Sequence, residues 1–171
     1  MKPSKFVLAL AVLALGAFPS SARADDDDEN NNHERHFEAR LFGANEVPPV
    51  SSRASGRLRA TLNHAETELS FQLSWEDLTA DAAVAHIHFG PSRVNGGVMV
   101  FFCGGGGQPA CPAGASATIT GTITAANVVG PTGQGIDPGE FAEVVRALRT
   151  QAYANVHNAR FPGGEIRGQL N

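Results

Sequence analysis

His86 and His88 stand two positions apart in the run Ala85-His86-Ile87-His88-Phe89-Gly90, and they are the side chains of this sequence best suited to chemistry. In an extended strand successive side chains point to opposite faces, so the two imidazoles share one face while Ile87 and Phe89 anchor the other. Such a pair can chelate a metal, join a polar network, or titrate near neutral pH. The run Tyr153-Ala154-Asn155-Val156-His157 alternates in the same way and sets Tyr153, Asn155 and His157 on one face. A turn at Phe161-Pro162-Gly163-Gly164 then folds the chain back, and the resulting hairpin is expected to bring His157 near Glu165. Two readings of these residues follow. In one, His86, His88 and His157 offer three nitrogens to copper or zinc, with Glu165 as a fourth ligand or as an orienting group. In the other, the histidines form a hydrogen-bonded network with Asn155, Glu165 and Arg167 that fixes strand register without any ion, and Glu46 pairs with Arg167.

The remaining reactive types support no catalytic apparatus. Residues 104–107 are four glycines without the Gly-Lys-Ser/Thr of a phosphate loop, and residues 130–135 read as a turn rather than a dinucleotide fingerprint. No serine occupies a nucleophile elbow, and Glu76 and Asp77 fall at a strand end, where they are solvated. The His-Ile-His pair is similar to the copper strand of Cu/Zn superoxide dismutase. That enzyme also needs a histidine-rich zinc loop and a fourth copper-binding histidine, which this chain lacks, so no enzyme activity is expected. Cys103 and Cys111 are read as a disulfide stapling the glycine-rich loop between them, with free thiols or a metal-binding pair as the alternatives.

The amino terminus has the layout of a cleavable export signal. Lys2 and Lys5 precede an apolar run from Phe6 to Phe18, and Ala22-Arg23-Ala24 supplies a cleavage site after Ala24. Loss of that leader takes three positive charges from a chain whose formal charge is −4, and no lysine remains. Such a chain has no basic stripe for nucleic acid and no span to hold the mature form in a membrane. The secretory route places it in a periplasm or outside the cell, where a disulfide persists. Residues 25–35, rich in aspartate and asparagine, cannot bury enough apolar surface to order themselves and read as a disordered acidic tail.

From residue 36 the chain breaks into short alternating stretches divided by Gly, Pro, Asn and Asp, the pattern of an all-β sandwich or barrel. Strands are expected over residues 37–41, 55–62, 67–75, 82–89, 98–103, 115–125, 151–157 and 165–170. The segment 98–103 is apolar on both faces, and 115–125 sets Ala117, Ile119, Gly121 and Ile123 against four threonines. The exception is one amphipathic helix at about 138–149, with Asp137 as its cap, Pro138 in its first turn and Phe141, Val144, Val145 and Leu148 on one face.

Four motifs in order carry a family resemblance: Asn45-Glu46-Val47-Pro48-Pro49-Val50, Ala85-His86-Ile87-His88-Phe89-Gly90, Tyr153-Ala154-Asn155-Val156-His157, and Gly163-Gly164-Glu165-Ile166-Arg167-Gly168-Gln169-Leu170. Together they resemble the CHRD domain, over roughly residues 36–171. The resemblance implies an immunoglobulin-like antiparallel β-architecture in an extracellular setting and no established activity. The loop from Cys103 to Cys111 departs from the family pattern. The organisation expected is therefore a leader (1–24), an acidic tail (25–35) and a CHRD-like β domain (36–171). The function expected is an exported, non-enzymatic binding or interaction module with an extracellular or periplasmic protein or matrix partner; the alternative is a copper- or zinc-binding protein using the three histidines.

Overall fold

The computed structural model describes Met1 and residues 34–171. The expected leader and nearly all of the expected acidic tail lie outside the described residues. Eight strands follow in chain order: β1 (Arg35–Phe42), β2 (Ser55–Leu62), β3 (Leu69–Glu76), β4 (Ala82–Phe89), β5 (Gly97–Cys103), β6 (Ala117–Ile123), β7 (Ala152–Asn158) and β8 (Ile166–Gln169), with one α-helix, α1 (Phe141–Leu148), between β6 and β7. They form one antiparallel sheet in the order β5-β4-β7-β8-β1-β2-β3-β6. The sheet curls until its two ends approach, and a backbone bridge joins Val100 of β5 to Val128 just beyond β6. Of the two all-β forms expected, the chain takes the barrel, nearly closed.

Alternation builds this barrel. Phe37, Ala39 and Leu41 of β1 are buried while Glu38 and Arg40 are exposed, and Leu58, Ala60 and Leu62 of β2 repeat the pattern. β2 and β3 pair from Leu62 opposite Leu69 to Ser55 opposite Glu76. Their turn is held by Asn63 Oδ1, which accepts hydrogen bonds from the Thr67 and Glu68 N–H groups. Leu69, Phe71, Leu73 and Trp75 complete the interior row of β3. The chain then crosses to β4 on the far side of β5 and β6, and returns from β6 to pair β7 with β4. These two Greek-key crossings place β4 beside β7, and so bring residues almost seventy positions apart into register.

Three details differ from expectation for physical reasons. The helix starts at Phe141 rather than near Pro138, because Gly139 adopts φ 88°, left-handed backbone that no helix accommodates. Asp137 makes no side-chain cap; instead its N–H donates to Glu140 Oε2. β5 is less symmetrically buried than its composition suggests, since Val98 and Phe101 are only half-buried while Met99, Val100 and Phe102 are enclosed. In β6 only Ile123 is fully interior; Ala117 and Ile119 are partly covered, and the threonines face solvent as expected. Cys103 and Cys111 are joined in a disulfide. Within its loop Gly104, at φ 77°, lies against the Ala83 carbonyl, where a Cβ would collide.

Candidate metal centre

β4 alternates between two buried faces. Ala85 and Ile87 belong to the barrel core, whereas His86 and His88 point away from it. Across the strand pair His86 faces Asn155, His88 faces Tyr153 and Val84 faces His157, so the second row comes from β7. Arg167 of β8 pairs with Asn155 and extends the row to a third strand. This is the outer surface of the barrel, yet the three histidines are only 5–8% exposed. Loops cover them. Asn45 Nδ2 donates to the Arg167 carbonyl, and Asn95 Nδ2 donates to the Val47 carbonyl, which ties the segment after β1 to the segment after β4. Arg167 donates to the Pro91 and Val94 carbonyls and to Asn95 Oδ1, clamping the same segment from below.

The imidazoles of His86, His88 and His157 converge as the sequence predicts. The ring of His86 lies 4.5 Å from that of His88 and 4.5 Å from that of His157, and one nitrogen from each residue lies within 4.8 Å of the other two. A single ion bonded to three imidazole nitrogens at about 2.0–2.1 Å holds them roughly 3.4 Å apart, so a small closure suffices.

Each ring is oriented through its other nitrogen. His88 Nδ1 lies 2.9 Å from the Gly96 carbonyl and His157 Nδ1 lies 2.9 Å from the Pro162 carbonyl. A carbonyl only accepts, so both Nδ1 atoms carry the proton and both Nε2 atoms are lone pairs. His86 Nδ1 lies 2.9 Å from Asn155 Oδ1 and, with the amide in that orientation, donates to it. His157 Nε2 is buried and has no hydrogen-bond partner among the described residues. His88 Nε2 faces Asn155 Oδ1 at 3.1 Å, so two acceptors confront one another. Turning the Asn155 amide end for end relieves that contact, but the His157 Nε2 lone pair stays unpartnered among the described residues either way.

Burial keeps the three rings neutral. It pulls His86 down to about 3, helped by the neighbouring His88 and His157 and opposed by Asn155. Burial also pulls His88 down to about 4, against the Gly96 carbonyl, and lowers His157 against the Pro162 carbonyl. Neutral imidazoles bind a metal at pH 7 without expelling a proton.

Two expected partners sit elsewhere. Glu165 does not join the histidines. It shares its side of the hairpin with Asn158, one residue beyond His157 and therefore on the opposite face, and its carboxylate is saturated there. Ser52 Oγ donates to it at 2.6 Å, the Thr79 N–H and hydroxyl donate at 3.1–3.2 Å, and Asn158 Nδ2 donates as well. Nor do Glu46 and Arg167 form a direct ion pair, because the guanidinium is committed to the 91–95 segment. It lies 3.3 Å above the centre of the Tyr153 ring, and that ring stacks on His88 at 4.6 Å. Glu46 feels Arg167 only at longer range. Its carboxyl is packed on Gly164, leaves Oε1 without a partner among the described residues, and is pushed up to about 7 by burial against the opposing Arg167, Val47 N–H and Asn155 amide.

The CHRD domain family model matches residues 37–170. The chain belongs to the CHRD family. No curated protein and no solved structure matches it. The matched span contains every residue of the histidine cluster together with both loops whose carbonyls orient it, so the centre lies wholly within this CHRD domain. Several supporting groups of the domain carry no motif of their own. The Gly96 and Pro162 carbonyls are backbone groups that no side-chain pattern reveals. Phe101, edge-on to His86 at 5.1 Å, is disguised by the apolar run of β5. Tyr153 is the one that alternation does flag, two positions before Asn155.

Proposed function

We propose that this CHRD domain is an exported, non-enzymatic binding module whose ligand is one transition-metal ion, copper or zinc, held by His86, His88 and His157. The observation that carries the reading is a pair of tautomers beside a third converging imidazole. Gly96 O and Pro162 O hold the Nδ1 protons of His88 and His157, so these two rings keep Nε2 lone pairs, and that of His157 has no other partner among the described residues. The amino-terminal leader supports export, and the disulfide suits an oxidising compartment.

The same residues also allow a metal-free network. With its amide turned end for end, Asn155 donates to His86 Nδ1 and His88 Nε2 and accepts from a protonated Glu46, whose raised pKa suits that role. That arrangement still leaves His157 Nε2 unsatisfied, which favours the metal. A protein or matrix partner has less support. The large apolar side chains exposed within residues 34–171, Phe42, Val94 and Val129, sit on three separate segments.

The test is to dialyse the chain against zinc(II) and, separately, copper(II), and to count bound metal by elemental analysis. The wild type should retain one ion per chain and His157→Ala should retain none. Equal metal content in the two proteins would overturn the proposal.

A further inference from the structure

The three-imidazole centre proposed above has a donor count and a charge environment that discriminate among ions. Building on that reading, we infer that the ion this centre selects is monovalent copper, in preference to zinc(II) and copper(II).

The donor set comes first. Among the described residues only the three histidines converge, and no carboxylate or thiolate joins them. Glu165 is saturated by Ser52, Thr79 and Asn158, and both cysteines are spent in the disulfide. Zinc(II) on three histidines takes a fourth ligand, such as a water, to complete its tetrahedron, and copper(II) favours a tetragonal set. Copper(I), with a filled d shell, is satisfied by three nitrogens. Enclosure supports this count, because Tyr153 stacks on His88 and Phe101 stands edge-on to His86, and the side-chain oxygen beside the rings, Asn155 Oδ1, is a neutral amide already shared between His86 and His88.

Charge points the same way. Three neutral ligands leave the ion's full charge on a buried centre, and the cost of burying charge rises with its square, roughly fourfold from one unit to two. A divalent ion therefore needs a compensating anion. The nearby charged groups do not supply one. Arg167, 2% exposed, is a fixed cation one aromatic ring away from His88, and Glu46 is the single buried carboxyl that faces it. Whether Glu46 is ionised opposite Arg167 or protonated, no negative charge is left over for a second positive charge on the metal.

The experiment uses the exported full chain, without oxygen. Ascorbate keeps copper monovalent and leaves the Cys103–Cys111 disulfide intact. Copper(I) affinity is read by competition with bicinchoninate and zinc(II) affinity by competition with pyridylazoresorcinol, both at pH 7. One equivalent of copper(I) held on the order of 100-fold more tightly than zinc(II) is the expected result. Zinc(II) bound as tightly as or more tightly than copper(I), and lost in His157→Ala, would overturn this inference while leaving the three-histidine centre standing. Failure to bind either ion at one equivalent would overturn both. A second measurement adds the missing anion: Asn155→Asp places a carboxylate against His86 and His88 and should narrow the copper(I)-to-zinc(II) ratio at least about tenfold. An unchanged ratio in that variant would contradict the charge argument.

Discussion

At the scale of single residues, the central feature is that His86, His88 and His157 are buried, neutral and oriented. Their charge state gives a pH signature. His86 and His88 titrate at about 3 and about 4 in the folded chain, well below an unfolded histidine near 6.5. Between those values the unfolded chain binds more protons, so stability falls as pH drops from about 6.5 toward 3. Glu46 works in the opposite sense. Its carboxyl is raised to about 7, so the folded chain holds the extra proton between about 4.5 and 7, and stability from this group is lost as pH rises through that window. Two strongly lowered histidines outweigh one carboxyl. Thermal melts of the metal-free protein should give a midpoint that declines steadily below pH 6; an unchanged midpoint from pH 7 to pH 4 would contradict the neutral-cluster account. His157→Ala separates metal from structure at the same scale. Its Nε2 has no partner to lose, so metal-free stability should drop by only about 1–3 kcal/mol in urea melts, from lost packing and the freed Pro162 carbonyl.

At the scale of elements, alternation made most of the framework legible. The His-x-His spacing of β4 and the Tyr-x-Asn-x-His spacing of β7 each define a face, and pairing of β4 with β7 joins the two faces. That pairing is a product of the Greek-key crossings, which local pattern does not encode. Glu165 shows the limit of the same logic. It lies beside His157 along the hairpin, but it stands in the bend just before β8, outside the strand pleat, and its carboxylate turns toward Ser52 and Thr79, which are remote in sequence. The helix boundary failed for a local reason: Gly139 adopts left-handed backbone that composition alone permits without requiring. Two expectations belong to this scale. Leu58, fully enclosed between β1 and β3, should cost about 3 kcal/mol when changed to alanine, measured by urea unfolding. Replacing both Cys103 and Cys111 with serine should lower stability by about 2–3 kcal/mol through the freed loop, with oxidised wild type as the comparison.

At the scale of the whole molecule, the outer face of the barrel carries the centre and the interior carries the stability. The core of Leu41, Leu58, Leu73, Ile87, Val156 and Ile166 lies behind the same strands whose other face holds the histidines. On the proposed reading, this division would let the barrel stay folded without metal, and a bound ion would stabilise it further by mass action. The proposed export is checked at this scale by mass spectrometry of secreted protein, which should begin at Asp25 if cleavage follows Ala24. The most direct measurement of the central claim is X-ray absorption on the metal-loaded full chain. The account predicts one ion per chain with three nitrogen scatterers at about 2.0 Å and the outer-shell pattern of imidazole, absent from His157→Ala. A first shell dominated by oxygen or sulfur, or an identical spectrum from that variant, would contradict it.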